Sequence, residues 1–361
     1  MSAKLKAIMA EIATIFLERE DQIQAVMRAL LAELHVLLLG PPGTAKSAVI
    51  VELMRRITGA NYFETLLTPF SAPEEVFGPV SIMGLQQDKF ERKYEGYLPW
   101  AHVGFIDEVF KANSAILNSL LTIMAERKFK CGVQLVNAPL VSLVGASNET
   151  PQEDNLTAMY DRFMVRKISA YVSDANVVNL LRPSTGANAG NTVLSLKEWD
   201  KARSEVKTVD VPEAILEEVA NLKAVMKHKG FGASDRRWRA SIRLLQACAY
   251  LDGRSAVESD DLMVYSDVLW DDMKDAKPVA DEVGKIINPA MQALLEHIDE
   301  VDKLLNQFVN APDEQERINA MAKINTHKTK LTKIKAGAKG EEAIKRIGEK
   351  VNAAVKKVMK F

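Results

Sequence analysis

The chain has 361 residues, 47% of them hydrophobic and 26% charged, with a formal net charge of −1 at pH 7. That length exceeds what one hydrophobic core fills and predicts two or three domains, while the ordinary apolar and charged fractions exclude a disordered chain. Two cysteines far apart in sequence, Cys131 and Cys248, exclude a disulfide framework and a zinc cluster and suit a reducing, cytoplasmic setting.

Charge is unevenly placed. Residues 311–361 carry thirteen Lys or Arg against six Asp or Glu, a surplus of seven, which leaves −8 for residues 1–310. The amino terminus mixes acidic and basic residues with apolar ones, so no secretory signal is expected, and no stretch of about twenty uncharged apolar residues exists to cross a bilayer.

Taken in order, residues 8–17 and 23–34 have helical periodicity, with Ile23, Val26, Leu30 and Leu34 on one face. Between them Glu18, Arg19, Glu20 and Asp21 read as a helix start with acids near its N-terminus; a helix delivered straight into the next strand would also lie near a bound adenine. His35 to Leu39 is a short apolar run of the kind buried on both faces of a parallel sheet. The chain then turns through Gly40, Pro41, Pro42, Gly43, Thr44 and Ala45 to Lys46, Ser47 and Ala48, which open an amphipathic helix. Strand, glycine-bearing loop and helix in that order make a phosphate cradle. Backbone N–H groups and the positive helix end hold polyphosphate oxygens, Lys46 adds a mobile charge, and the Ser47 hydroxyl can ligate magnesium. The spacing from Gly40 to Lys46 and Ser47 is that of the Walker A motif, with Ala45 where glycine is usual.

Residues 62–67 form a plausible second strand. The following stretch to Trp100 is rich in proline, glycine and aromatics and reads as a long functional loop; Phe77, Phe90, Tyr94, Tyr97 and Trp100 either grip a partner or pack the loop onto its own domain. Residues 102–109, HVGFIDEV, describe a buried strand presenting Asp107 and Glu108 at its carboxyl end, where open parallel sheets place ligands. There Asp107 would hold magnesium, and Glu108 would orient or deprotonate an attacking water. A helix is expected over 115–125, a hairpin after it, and another buried strand over 139–146 ending in Ser147, Asn148 and Glu149. The Asn148 amide can hydrogen-bond the attacking water and the γ-phosphate, or serve in a simple turn. Arg162 follows an apolar helix end, where an arginine either pairs at home or reaches a neighbouring subunit's phosphate.

The ordered set GPPGTAKS, VGFIDE, GASNE, MYDRF and SDRRWRASIRLLQA resembles AAA+ ATPases of the MoxR group, most closely a RavA-like branch in which FSxPEEVFGP, AILNxLL and SDRRW recur. The resemblance runs from about Ile12 to Trp270. It implies an α/β fold, an AAA+ αβα sandwich with a parallel sheet over 1–186, followed by an all-α lid domain over 187–275. It assigns Lys46 and Ser47 to Walker A, Asp107 and Glu108 to Walker B, Asn148 to sensor 1, Arg162 to the arginine finger, with Arg166 as its alternative, and Arg236 to sensor 2, with Arg237 as the second choice. It further implies ATP and Mg2+ as cofactors, a homo-oligomeric hexameric ring, pore-facing loops at 70–100 and 129–139, and chaperone-like remodelling or assembly of a protein client alongside a partner bearing a von Willebrand factor A domain.

Past a polar, glycine-bearing break at 183–192, residues 196–270 read as helical throughout, with Arg236 opening the third lid helix. Residues 276–361 lie outside the family match. Leu294, Ile298, Val301, Leu305 and Phe308 form one short heptad seam and Ile344, Ile347, Val351, Ala354 and Val358 another, punctuated by Pro312, Gly337 and Gly340; a two- or three-helix hairpin is expected. Its lysines invite a nucleic-acid reading, but lysines on the polar face of amphipathic helices are mostly solvated surface, so nucleic acid is not the expected partner. The rival classes are a nucleic-acid-directed motor and an ATP-ordered scaffold.

Overall fold

The computed structural model describes residues 1–132, 134–151, 156–182, 190–311, 313–334 and 337–358. The chain forms two compact units, Met1–Ala276 and Lys277–Phe361.

The first unit begins with two helices, α1 (Ser2–Ile15) and α2 (Glu20–Ala32). Leu5, Ile8 and Ile12 recur at helical spacing and are buried, and α2 carries Glu20 and Asp21 in its first turn, as the helix macrodipole favours. Glu33 then takes a left-handed conformation and ends the helix, so the chain enters β1 (His35–Leu39) without a loop. After β1 come α3 (Lys46–Arg55), β2 (Ile57–Thr58) and β3 (Tyr62–Leu66). The expected long loop contains α4 (Pro73–Phe77), α5 (Ile82–Leu85) and a 3-10 turn at Leu98–Trp100. Phe77 is buried there and stacks on Phe129 at 5.5 Å, so it packs the segment onto its own unit; Phe70 is 94% exposed and Phe90 half exposed.

Next follow β4 (Val103–Asp107), α6 (Ser114–Glu126), the hairpin strands β5 (Lys128–Cys131) and β6 (Gln134–Asn137), and β7 (Ser142–Ser147). The short helix α7 (Thr157–Tyr160) leads into β8 (Phe163–Ile168), and α8 (Val177–Leu181) precedes the residues of the expected break, of which 183–189 lie outside the described chain.

Five strands form one parallel sheet in the order β3-β4-β7-β1-β8. Every residue of β1 and β7 is buried, as expected of central parallel strands covered on both faces. The register sets Leu39 beside Ser147 and Leu66 beside Asp107, so β1, β4 and β7 all end on the same edge of the sheet.

Residues 194–276 add the two-residue β9 (Leu194–Ser195), which pairs with β2, and helices α9 (Leu196–Val206), α10 (Glu213–His228) and α11 (Asp235–Leu251). Ser195 and Glu198 form a capping box on α9, and the Ser234 hydroxyl accepts from the Arg237 N–H to cap α11. Beyond α11 the expected helix gives way to a 3-10 segment at Ser259–Asp267. Helices α9 and α11 pack on α2, and α11 also on α1.

The second unit holds α12 (Ala276–Ile287), α13 (Pro289–Asn310), α14 (Glu314–Leu331) and α15 (Gly337–Val358). Both seams meet in one core, in which Leu294, Val301, Leu305 and Phe308 of α13 join Ala320, Ile324 and Leu331 of α14 and Ile347 and Val351 of α15. Gly337 opens α15, at the expected break, whereas Gly340 lies within the helix. The cost of that interior glycine, about 1 kcal/mol, is outweighed by burial of Ile347 and Val351. Pro312 lies outside the described residues.

Candidate functional site

The loop between β1 and α3 is held by backbone on two sides. Gly40 donates its N–H to the Ser147 carbonyl at 3.0 Å, and the Ser169 N–H, at the exit of β8, reaches the Leu39 carbonyl at 2.7 Å. Gly40 has φ +146, and a Cβ there would lie 2.1 Å from the Ser169 carbonyl oxygen, so glycine is required by close approach as well as by conformation. Ala45, in the position that usually holds glycine, is left-handed at φ 61 and ψ 26 and caps α3, a conformation costing an L-residue roughly 1–2 kcal/mol. The loop thus accommodates the methyl group at a cost in strain.

Thr44 is buried, and Pro42, Gly43 and Ala48 are exposed; Pro41, Ala45, Lys46 and Ser47 lie between. The Thr44 hydroxyl donates to the Pro41 carbonyl at 3.0 Å. Lys46 folds back over the loop, its Nζ donating to the carbonyls of Gly40 at 2.7 Å and Pro41 at 2.9 Å. Burial lowers the Lys46 pKa, and the carboxylates of Asp107 and Glu108 oppose that shift. The structure therefore brings the loop lysine and the acidic pair at the end of β4 into one electrostatic site.

Glu108 follows β4 at φ 51, a left-handed turn that separates its side chain from that of Asp107. Its N–H donates to Asp107 Oδ1 at 3.0 Å, and its carboxylate meets Lys111 at 3.3 Å. A serine hydroxyl and a carboxylate, Ser47 and Asp107, are hard oxygen donors of the kind magnesium takes. Asn148, directly after β7, is exposed, and the neighbouring Ser147 hydroxyl and Glu149 close a tight turn through their own backbone.

A cavity of about 800 Å3 lies elsewhere, lined by Thr157, Tyr160, Asp161, Lys223, Asp235 and Asp271 among others, and no residue of 40–47 belongs to its walls. Polyphosphate seats are made of backbone N–H groups at a helix end, so the loop is the candidate.

Comparisons with known proteins place the chain in a family. Residues 3–208 match the family model described as the MoxR domain in the MoxR-vWA-beta-propeller ternary systems, and residues 214–283 match an AAA lid domain. An uncharacterized protein of Methanocaldococcus jannaschii is 39% identical over 84% of this chain and 80% of its own length. The chain belongs to the MoxR group of AAA+ ATPases. The chaperone MoxR1 of Mycobacterium tuberculosis is 24% identical over 73% of this chain and 74% of its own. A crystal structure of an inferred ATPase from Cytophaga hutchinsonii shares the fold at TM-score 0.63 and 18% identity, over 80% of this chain and 95% of that one.

In this MoxR chain the arginines divide into buried and surface groups. Arg166 has a fully buried side chain: it bonds the Trp270 carbonyl and the Asp271 carboxylate, donates to the Tyr160 carbonyl at 3.0 Å, and lies 3.7 Å over the Tyr160 ring. It ties β8 to residues 270–271, and as an alternative finger it is ruled out by that burial. Arg237 is likewise 2% exposed, bonded to Asp271 at 2.7 Å and to the Val268 carbonyl. Arg236, by contrast, has a side chain 55% exposed and donates to Asp161 at 3.2 Å.

Arg162 donates to the Ala158 carbonyl at 2.7 Å, and its Nε is buried with no hydrogen-bond partner among the described residues. Burial first, and repulsion from Arg236 second, lower its pKa against the pull of Asp161. Arg236 is thus paired with Asp161, and Arg162 lies close enough to both to feel their charges.

Two residues of the site have no signature in the sequence. Arg19, which counts only as part of a charged helix start when the sequence is read, donates to the Thr44 carbonyl of the phosphate loop from 25 positions away. Glu18 accepts from the Ser173 N–H at 2.8 Å and from Asn176 at 2.7 Å, fastening the start of α2 to the segment after β8. Their partners are too distant in sequence for spacing to reveal them.

Proposed function

We propose that the chain is an ATP hydrolase that works as a homo-oligomeric ring, a hexamer, and couples turnover to chaperone-like remodelling or assembly of a partner protein complex. The observation that carries this reading is that Lys46, folded over the loop after β1, and Asp107 and Glu108, at the end of β4, lie at one edge of the sheet. A lysine poised over a glycine loop, opposite two carboxylates on a parallel strand, is the equipment for gripping a triphosphate and activating water beside it.

Residues 40–48 would hold the phosphates, Ser47 and Asp107 would hold Mg2+, Glu108 would orient or deprotonate the water, and Asn148 would position it against the γ-phosphate. The metal, when bound, neutralises charge on the β- and γ-oxygens. Arg236 pairs with Asp161, and Arg162 lies within their electrostatic reach; we assign both arginines to charge stabilisation at a nucleotide, Arg162 in trans on the neighbouring subunit. A residue that acts in trans requires a neighbour, which supports the ring.

Functionally the chain divides into a nucleotide-binding domain over 1–186, a lid over 187–275 and a helical extension over 276–361. FSAPEEVFGP and SDRRW support the RavA-like branch. The family description supports a von Willebrand factor A partner. Free, buried Cys131 and Cys248 suit the cytoplasm, and among the described residues no helix is long and apolar enough to cross a membrane.

The test is phosphate release by the purified protein with magnesium and ATP. Lys46→Ala should abolish nucleotide binding, and Glu108→Gln should retain ATP without turning it over. A chain that stays monomeric with and without nucleotide and releases no phosphate would refute the reading.

A further inference from the structure

We propose that Arg19 is a positioning residue that keeps the phosphate loop ready for nucleotide, an inference that rests on the nucleotide-binding reading above. The Arg19 side chain is almost wholly buried and committed to main-chain carbonyls: Nε donates to Thr44 at 3.0 Å, one terminal nitrogen to Ala170 at 2.6 Å and the other to Glu18 at 2.7 Å. One planar guanidinium therefore spans the phosphate loop and the exit of β8, the same exit whose Ser169 packs on Gly40.

The bond to Thr44 falls on the peptide that precedes Ala45. A trans peptide points its C=O and its N–H in opposite directions, and no peptide bond in the structure is cis. Fastening the Thr44 carbonyl to Arg19 turns the Ala45 N–H the other way, as a loop that presents N–H groups to phosphate needs. The Ala45 carbonyl accepts from the Val49 N–H at 3.1 Å, but the residue's own conformational preference opposes the loop path. At φ 61 it is left-handed, which an L-residue disfavours about tenfold relative to its right-handed alternatives. Arg19 supplies the restraint from outside the loop, and Glu18, locked by Ser173 and Asn176, fixes the base from which Arg19 reaches.

The test is a double-substitution cycle on the full chain, read as equilibrium binding of a fluorescent ATP analogue with magnesium. Arg19→Met should weaken binding about tenfold. The same Arg19→Met change made in an Ala45→Gly chain should cost about threefold or less, because glycine removes the conformational penalty that Arg19 offsets. Arg19→Lys keeps the charge but cannot span both carbonyls, so it should lose binding like Arg19→Met; it carries the test if circular dichroism finds the methionine variant unfolded. Equal losses with and without Ala45→Gly, or full binding by Arg19→Lys, overturn the proposal. Failure of the unaltered chain to bind the analogue would instead overturn the nucleotide-binding reading, an outcome seen before any variant is made.

Discussion

Replacing Gly40 with alanine tests how tightly the phosphate loop is wedged into the sheet. The added Cβ would lie 2.1 Å from the Ser169 carbonyl oxygen, where ordinary contact starts at 3.4 Å, so the two backbones must part by more than an ångström. That separation breaks or stretches two bonds, Ser169 N–H to Leu39 and Gly40 N–H to Ser147, at about 0.5–1.5 kcal/mol each. The unfavourable φ adds about 1–3 kcal/mol, for a total of roughly 2–6 kcal/mol. Gly43→Ala is the control: its φ is +78 but nothing lies within 4 Å of the added carbon, so only the left-handed cost of about 1–2 kcal/mol applies. Trp100, Trp199, Trp238 and Trp270 all lie within Met1–Ala276, so tryptophan fluorescence in a denaturant titration reports that unit alone. Equal destabilisation by the two substitutions would refute the wedge, and with it the claim that the loop is fixed by the exit of β8.

Three further outcomes follow from the same geometry. Arg166→Met leaves the Tyr160 carbonyl without its donor, while Arg237 still bonds the Trp270 carbonyl and Asp271, and should cost roughly 1–3 kcal/mol, read by the same fluorescence; Arg236→Met, at an exposed pair with Asp161, should cost under about 1 kcal/mol. Arg162→Ala should spare nucleotide binding but cut hydrolysis roughly a thousandfold, and adding Glu108→Gln subunits, which bring intact Arg162, should restore part of the phosphate release at mixed interfaces; no recovery would count against action in trans. Burial and the nearby Arg127 hold the His35 pKa well below its ordinary range, so the unfolded chain takes up a proton that the folded chain refuses. His35 therefore contributes stability above about pH 6.5 that is lost as pH falls toward its folded value, by up to about 1.4 kcal/mol per pH unit. Denaturant titrations at pH 7 and pH 5.5 should differ accordingly, and His35→Gln should flatten the difference.

The loop and the acidic strand end were legible because their chemistry is local. Gly40 to Ser47 are contiguous, and Asp107 and Glu108 terminate an apolar run that can only be a buried strand. Strand order was not legible in the same way: β1 pairs with β7 and β8, whose residues lie more than a hundred positions downstream, and no local pattern encodes that adjacency. Arg166 illustrates the limit, since its partners Trp270 and Asp271 are 104 and 105 positions away, and only the assembled fold tells a buried strut from a free finger. The short helices α4 and α5 span five and four residues, too few for a periodic signal. Helix α14 buries only Ala320, Ile324 and Leu331 along a mostly polar sequence, so its amphipathic stripe is thin.

The position of β1 in the sheet also has a consequence for synthesis. The strand that launches the nucleotide loop leaves the ribosome about a hundred residues ahead of both strands that flank it, which belong to residues 142–168. Until those residues emerge, a mostly apolar ribbon has two open edges, and Gly40 lacks both the carbonyl it bonds and the backbone it abuts. Nascent chains of this protein are therefore expected to depend on holding factors through that interval and to acquire nucleotide only after β8 has docked.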